Sequence, residues 1–523
     1  MVAERLIEDI RTSRPGVEVK EVPYQQRGYW FDLSAGPEDI EEVARLFDRH
    51  GYYIEDVCCV DFKEYLQLVY HFNHWDDPRR VSVRVNLPAE EPVIPSISGV
   101  YEGAGWHERE IHEFFGVHFE NHPNLSYLFL HEGIDFYPLR KEKVPVPEER
   151  KRLLSSLPVS ESDDVFFVNM GPQHPSTHGV LRLILKMDGE YIERAEPVLG
   201  YLHRMQEKMA ENRTYLKYLP NASRLDYVGA MSYNLCYVRA VERLCGIEAP
   251  PRAEYVRVIA VELNRIASHL LWLGTYLLDL GAFTPFLYAF DDREQILDLL
   301  EGITGSRLTY SYCRFGGLYN DVDEDFIEGV KAFLKRMWKR FKIYNDLVTG
   351  NVIFIHRTKD IGAIPKEIAR RYGVTGPNLR ASGVGYDLRK AEPYGAYREL
   401  GVEVATGEKG DALDRYLVRL QEMENSLRVI ERAIKELPNG SYRVEVRKLK
   451  PPEGDVYFAV EGPRGEVGVY IVSDGSTTPY RLKWRSPSFS NLTCFPEISR
   501  GVLIADAVSI LGSLDLVIPE MDR

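Results

Sequence analysis

A polar segment near residue 150 divides this chain into two parts whose hydrophobic patterns differ. The segment from Glu142 to Asp164 is rich in Pro, Ser, Lys and Glu and shows no sustained apolar period, which is typical of a linker. A chain of 523 residues, 44% of them hydrophobic, has room for more than one core. We therefore predict two domains, residues 1–140 and 165–523, joined by a linker over residues 141–164.

The first part shows short stretches of different periodicity. A helix-like stretch Pro37–His50 is followed by strand-like stretches Tyr52–Val60 and Val81–Leu87 and by a helical segment Gly105–Phe115. This mixture predicts a small α+β domain.

The second part is mostly helical in pattern. Apolar residues recur at three- and four-residue spacing in Leu202–Leu216, Leu225–Cys245, Tyr255–Leu280, Asp292–Ile303, Asp325–Val348 and Ala412–Leu437. After Tyr442 the period shifts towards two in Tyr457–Val460 and Val467–Val472, with a hairpin-like turn between them. We predict a large, mainly helical domain with small β-sheets and a closing helix near Gly501–Leu511, and hence an α+β chain.

Composition excludes several classes of function. The formal net charge of −14 gives no electrostatic reason to expect nucleic-acid binding. Residues 1–21 are charged throughout and lack the apolar core of a signal peptide. The best membrane candidate, Leu270–Phe290, contains Asp279 and is broken by Pro285, so we expect a buried core helix and its exit.

The six cysteines show no Cys-x-x-Cys spacing. They therefore provide no frame for a zinc site or an iron–sulfur cluster, and we expect no metal held by this chain. Scattered cysteines also indicate a reducing compartment without disulfides, in which these residues act as buried small hydrophobes.

Charged residues crowd the helical segment Trp106–Gly116. Glu108, Arg109, His112 and Glu113 lie three and four residues apart and would share a helix face. A metal site is one interpretation, but the spacing is not His-Glu-x-x-His. We favour charge pairing along the helix.

Two histidines stand on a Gly/Pro-interrupted turn just before the strand-like run Leu181–Met187. Residues 171–182 read Gly-Pro-Gln-His-Pro-Ser-Thr-His-Gly-Val-Leu-Arg. A histidine in a cleft can donate a proton near neutral pH, yet surface or capping histidines are the commoner outcome of such a pattern. The turn alone does not define a site.

The amino-acid sequence of the turn closely resembles a signature of the D (49-kDa) subunit of respiratory complex I, the proton-pumping NADH:quinone oxidoreductase. Further motifs of that family follow in its order: Gly200-Tyr-Leu-His-Arg204, Arg224-Leu-Asp-Tyr227, Glu262-Leu-x-Arg265, Arg314-Phe-Gly-Gly317, Arg380-Ala-Ser-Gly383, Tyr480-Arg-Leu-Lys-x-Arg485 and Asp522-Arg523. The first part resembles the C (30-kDa) subunit through Glu108-Arg-Glu110, the pair His122-Pro123 and Pro138-Leu-Arg-Lys141. The chain is thus identified as a fusion of the two subunits.

The D subunit is related to the large subunit of nickel–iron hydrogenases, which bind their metals through two Cys-x-x-Cys pairs. The corresponding stretches here, residues 202–207 and 515–522, contain no cysteine, so hydrogen activation is not expected. The resemblance implies that the former metal cavity holds a quinone headgroup. It makes His178 and Tyr227 the catalytic and quinone-binding residues, with Asp279 as the acid that pairs with His178 and favours its protonated form.

The resemblance also implies that electrons arrive from an iron–sulfur cluster in a neighbouring subunit, beside which Arg204 and Arg224 would lie. An ordinary surface ion pair is the alternative for each arginine. Two residues depart from the family: Met205 replaces a usual glycine, and Tyr319 stands where some members carry a histidine beside the cluster. A cluster potential that depends on pH through that histidine is therefore not expected here.

The function implied is that of a peripheral-arm subunit that binds no cofactor itself. Its expected partners are the iron–sulfur B subunit, the other peripheral-arm subunits, the membrane arm and a quinone, ubiquinone or menaquinone, at the cytoplasmic face of the inner membrane. Two alternatives remain open: the equivalent subunit of a ferredoxin- or F420-linked complex, and a non-catalytic scaffold subunit.

Overall fold

The structure is a computed structural model that describes residues 2–131, 133–147, 165–446 and 448–523. Most of the predicted linker, residues 148–164, lies outside this range. The division into domains at residues 141–164 therefore stays a prediction. The structure does place a mixed α/β region before this segment and a mainly helical region after it, which confirms the α+β class.

The first domain is built around a five-stranded sheet. Its strands are β1 (Glu18–Glu21), β2 (Phe31–Ala35), β3 (Tyr53–Asp61), β4 (Tyr65–Asn73) and β5 (Val81–Pro88), in the order β1-β2-β5-β4-β3. All pairs are antiparallel except β2 with β5. The accompanying helices are Val2–Ser13, Tyr24–Arg27, Ile40–Arg49 and Ala104–Phe115, and a parallel pair of short strands joins Val93–Pro95 to His118–Glu120.

The predicted elements of this domain are confirmed, but the helix Val2–Ser13 was missed. Its apolar residues Ala3, Leu6, Ile7 and Ile10 are buried at the three- and four-residue spacing of an amphipathic helix. The many charges of residues 1–21 obscured that pattern.

Strand β3 is buried along its whole length, although a one-sided sheet would show alternating burial. The second domain covers its other face: Arg481 Nε donates to the Cys59 carbonyl at 3.0 Å, and Arg485 Nε donates to the Glu55 carbonyl at 3.3 Å. One continuous hydrophobic core accordingly runs through both domains.

The second domain combines many helices with small antiparallel sheets. Its strands are Val165–Met170, Arg182–Asp188, Tyr191–Val198, Cys313–Arg314, Gly317–Leu318, Gly454–Gly462, Gly465–Ser473 and Arg481–Arg485. Its α-helices are Gln206–Glu211, Tyr215–Ala222, Ala230–Cys245, Pro251–Asp279, Phe283–Thr304, Glu324–Tyr344, Val352–Thr358, Lys366–Tyr372, Gly376–Ala381, Leu388–Ala391, Tyr397–Leu400, Ala412–Lys435, Pro487–Thr493, Phe495–Ile498, Ile504–Leu514 and Ile518–Asp522. The predicted hairpin is confirmed, because Gly462 pairs with Gly465 in register.

Two helix predictions need correction. The single helix predicted over Leu202–Leu216 is wrong: the chain forms a loop up to Met205 and then two short helices, the second capped by Thr214, whose hydroxyl accepts from Lys217 N. The helix predicted over Asp292–Ile303 begins earlier, at Phe283. Pro285 does not break it, because a proline is tolerated in the first turn, where its missing N–H has no helical partner.

The apolar stretch Leu270–Phe290 is shared between the helices Pro251–Asp279 and Phe283–Thr304. Three residues connect these helices, and they pack against each other as a helical hairpin. Among the described helices, none has the length and apolar character needed to span a bilayer. The hairpin instead places Asp279 at its turn.

Candidate functional site

His178 and Asp279 lie far apart in the sequence but meet in the structure. His178 Nε2 is 2.5 Å from Asp279 Oδ2, and the two side chains are 18% and 11% exposed. Asp279 is the last residue of the helix Pro251–Asp279, so its carboxylate projects from a fixed helix end. The structure thus brings together the two residues that the sequence predicted as a pair.

The turn that carries His178 has a special backbone. Pro175–Thr177 form a 3-10 turn, and His178 follows with φ 51°, in the left-handed region that is costly for most side chains. His174 is exposed, and its Nδ1 accepts a hydrogen bond from Ser176 N at 3.2 Å. His174 therefore shapes the turn, and His178 is the histidine that the turn presents.

The turn lies directly against the last helix. A Cβ atom on Gly179, whose φ is +151°, would be 2.6 Å from Ile518 Cγ1. Ile518 begins the helix Ile518–Asp522. The His178 turn and the C-terminal segment therefore pack directly against each other.

Tyr227 is exposed while its chain neighbours Asp226 and Val228 are buried: its relative exposure is 40%. Among the described residues it makes no hydrogen bond or ion pair with His178. Desolvation, and next the negative charge of Asp226, raise the pKa of the Tyr227 hydroxyl, which Arg464 opposes. Tyr227 is accordingly a protonated phenol that is exposed enough to contact a ligand.

A buried charged cluster lies behind Tyr227, and the sequence analysis missed it. Asp226 Oδ2 accepts from Arg464 Nη1 at 2.7 Å, and Arg464 Nη2 is 3.5 Å from Asp515 Oδ1. Burial and the nearby Asp226 raise the pKa of Glu520 to about 7. The available signal was a carboxylate directly before the predicted tyrosine, inside the motif Arg224–Tyr227.

Arg204 and Arg224 lie next to each other on the surface. Arg204 Nη2 donates to the Arg224 carbonyl at 3.0 Å, and Arg224 Nη1 donates to the Pro220 carbonyl at 2.8 Å. Neither guanidinium forms an ion pair with a carboxylate of the described residues. Within the part of the chain that the structure describes, the alternative of an ordinary surface ion pair is therefore not found, and the two positive charges stand together.

Met205 occupies a backbone position that suits glycine. Its φ is 52°, which explains why a glycine at this place is free of strain. The side chain does not hang free: Met205 Sδ lies 2.9 Å from His203 Nε2. Tyr319, the other departure, is 50% exposed, and the Arg314 guanidinium lies 5.2 Å from the centre of its ring.

Among the described residues, the charged helix Ala104–Phe115 shows neither a metal site nor ion pairs between its own side chains. Its side chains reach out to backbone groups of neighbouring loops. The contacts are Glu108 Oε1 with Ile97 N at 2.8 Å, Arg109 Nε with the Ser126 carbonyl at 2.8 Å, His112 Nδ1 with the Val117 carbonyl at 2.7 Å, and Glu113 Oε2 with Leu128 N at 2.9 Å. Charge pairing along the helix was thus the wrong prediction, and these residues fix loops.

The described residues contain no group of three or more His, Cys, Asp or Glu side chains arranged to hold a metal ion. Five of the six cysteines are buried, as the sequence predicted, and Cys245 is half-buried. Burial raises the pKa of all six thiols.

Both parts of the chain match known families. Residues 33–149 match the model for the 30 Kd subunit of respiratory-chain NADH dehydrogenase, and residues 279–453 and 443–523 match the model for its 49 Kd subunit. These two matches define a fused oxidoreductase component of the respiratory-chain NADH dehydrogenase class.

Individual relatives are similar over most of their length. The D subunit of NADH-quinone oxidoreductase from Syntrophobacter fumaroxidans is 58% identical over 375 residues, which are 71% of this chain and 100% of that protein. The C/D 2 subunit of the same enzyme from Aquifex aeolicus is 40% identical over 535 residues, which are 90% of this chain and 91% of that protein. The chain belongs to the family of fused C/D subunits of NADH-quinone oxidoreductase.

Proposed function

We propose that this chain, together with an iron–sulfur subunit, forms the site where a respiratory NADH dehydrogenase reduces quinone, and that this reduction drives proton translocation in other subunits. The family supports the reaction class, because the relatives are named NADH-quinone oxidoreductase. The observation that carries the proposal is the contact between His178 Nε2 and Asp279 Oδ2 at 2.5 Å, which holds one partly exposed imidazole in a fixed orientation.

Reduction of a quinone to a quinol takes two electrons and two protons, so the site needs proton donors aimed at the two carbonyl oxygens. Asp279 occupies Nε2 of His178, which leaves Nδ1 for the ligand. The Tyr227 hydroxyl is the second donor. In this assignment His178 and Tyr227 each donate a hydrogen bond to the headgroup and supply one proton, and Asp279 keeps the imidazole oriented.

Electrons reach the site from a cluster that the neighbouring B subunit holds. The paired guanidinium groups of Arg204 and Arg224 would face that cluster. Positive charge without a carboxylate partner stabilises the reduced, more negative state of a nearby cluster. Both arginines are exposed, as a subunit interface requires before assembly.

The remaining partners follow from the same assignment. The chain would sit in the peripheral arm with the other peripheral-arm subunits, dock on the membrane arm, and lie at the cytoplasmic face of the inner membrane. It would bind no cofactor of its own. The names of the relatives favour NADH as the electron source over ferredoxin or F420.

The experiment is quinone reduction by the assembled complex carrying His178→Ala or Tyr227→Phe. Each variant should lose quinone reductase activity by about a hundredfold, because general acid groups contribute factors of this size. Electron transfer to an artificial acceptor that draws on the clusters should persist. His118→Ala and Tyr191→Phe, at exposed positions on other strands, are matched controls and should behave as wild type. Unchanged quinone reduction in both site variants would overturn the assignment.

A further inference from the structure

The loop that carries Arg204 packs tightly against the first domain. His203, its chain neighbour, packs against two aromatic rings of that domain. The His203 ring centre is 5.3 Å from that of Phe114 with an interplanar angle of 23°, and 5.4 Å from that of Phe129 with an angle of 14°. The ring centres of Phe114 and Phe129 are themselves 6.1 Å apart, so the three rings form one packed cluster that restricts the loop beside Arg204.

The backbone approaches the first domain closely at the start of the loop. Gly200 has φ +96°, and a Cβ atom on it would lie 2.4 Å from the Phe129 carbonyl oxygen. Phe129 is itself held, because its N–H donates to Glu113 Oε1 at 3.1 Å. The loop and the first domain therefore fit without room for adjustment.

The last two residues hold the loop from the other side. Asp522 Oδ2 accepts from Leu202 N at 2.7 Å, and the Arg523 carbonyl oxygen accepts from Arg204 N at 3.4 Å. The first domain anchors these residues in turn, since Arg523 Nη2 donates to Glu110 Oε2 at 2.6 Å. Glu110 is buried and also accepts from Lys483 Nζ at 2.6 Å.

The guanidinium of Arg204 has no such anchor. It donates a hydrogen bond to the carbonyl of Arg224, another surface residue, and it has no carboxylate partner among the described residues. Its place in space is therefore set by the backbone of the loop. That backbone is set by His203 and by the two C-terminal residues.

We infer that the first domain is a positioning device for electron arrival: Phe114, Phe129 and Glu110 fix the loop so that Arg204 meets the cluster of the neighbouring subunit at one defined distance. They are positioning residues, because they act on the cluster only through the loop. The inference rests on the proposed function, in which Arg204 lies beside that cluster.

We call the contacts of Phe114, Phe129 and Glu110 that fix this loop the clamp. It is tested on the full chain without partners, by hydrogen exchange of the amides of Leu202 and Arg204. Phe114→Leu removes one ring of this cluster, and Glu110→Gln keeps the shape but removes the charge that holds Arg523. Both should speed exchange at these amides by about tenfold, because local opening becomes easier. Phe72→Leu is the control.

Phe72 is buried in the same domain and packs on Phe47 and Tyr101, far along the chain from the loop contacts. Its variant should lower the stability of the domain without selectively speeding exchange at Leu202 and Arg204. Equal exchange in all three variants would overturn the clamp. Glu110→Gln keeps the test valid if Phe114→Leu fails to fold.

The functional step is tested in the assembled complex by the electron paramagnetic resonance spectrum and midpoint potential of the neighbouring cluster. Phe114→Leu, Glu110→Gln and Arg204→Lys should each shift both properties, while Phe72→Leu should not and the KM for quinone should stay unchanged. If only Arg204→Lys shifts them, the positioning role is overturned. If Arg204→Lys does not, the placement of Arg204 beside the cluster fails, a result distinct from the outcome with His178 and Tyr227.

Discussion

Arg80 of the first domain and Glu392 of the second are joined across the domain boundary: Arg80 Nη2 lies 3.0 Å from Glu392 Oε1. The same guanidinium binds Glu55 through its Nε, 2.5 Å from Glu55 Oε2. The Arg80 side chain is only 2% exposed. A buried cation thus bridges two carboxylates that belong to different domains.

Arg80→Met should lower the free energy of unfolding by about 3–5 kcal/mol, because it leaves the buried Glu55 and Glu392 without their counter-charge. Arg307→Met is the matched control, since Arg307 pairs with carboxylates on an exposed surface, where an ion pair contributes little; its effect on the free energy of unfolding should be much smaller than that of Arg80→Met. Denaturant unfolding followed by tyrosine and tryptophan fluorescence measures both. Equal losses would contradict the bridging role of Arg80.

At position 205, glycine should be more stabilising than alanine, the reverse of the order in a regular helix. With φ 52°, Met205→Gly should be more stable than Met205→Ala by about 1 kcal/mol, because a left-handed backbone costs a side chain about that much. Met209 lies in the regular helix Gln206–Glu211, where Met209→Gly should be less stable than Met209→Ala by a similar amount. Thermal melting of the four variants checks the sign, and the same order at both positions would disprove the backbone argument.

The ionisation of Glu520 should weaken the fold as pH rises. Its pKa is raised from 4.5 to about 7, so the protonated form is favoured in the folded chain. The stability this gives is fully present below pH 4.5 and is lost as pH rises to about 7. Glu520→Gln removes the titration.

The Glu520→Gln variant should therefore gain stability relative to wild type between about pH 5 and pH 8, by a few kcal/mol at most. Unfolding of both proteins at several pH values measures the difference, in which the other titrating groups cancel. A difference that does not change with pH would show that Glu520 is charged throughout.

Asp279→Asn should lower kcat for quinone reduction by about tenfold or more, since a neutral amide orients the His178 imidazole less firmly than the carboxylate does. The loss should be smaller than that of His178→Ala, because the imidazole remains. Asp298→Asn, a surface change on the other helix of the same hairpin, should leave kcat unchanged. Full activity of Asp279→Asn would remove Asp279 from the proton-donating pair.

The sequence predicted helices and strands well where the spacing of apolar residues reflects burial of one face of a single element. The helix Ala412–Lys435 and the hairpin at Gly462–Gly465 fall close to their predicted bounds. Prediction failed where another part of the chain decides the structure. The apolar spacing around His203 is typical of a helix, but this segment forms a loop in which His203 packs against Phe114 and Phe129 of the first domain.

The site shows the same division. The pairing of His178 with Asp279 was predicted from the resemblance and appears as a direct contact. The cluster of Asp226, Arg464 and Asp515 behind Tyr227 was not predicted, because its members come from three distant segments that only the fold brings together. No local pattern marks such a cluster.

The seam between the two domains is rich in charge, as Arg80, Lys483 and Arg523 show. If the two parts were separate polypeptides, each would expose carboxylates and guanidinium groups that water solvates well. Each part would therefore tend to stay soluble and not aggregate. Joining them in one chain raises the local concentration of each surface to the millimolar range. Fusion therefore ensures that the two domains pair one to one. As separate polypeptides, they would associate through this charged interface only at sufficiently high concentrations of both.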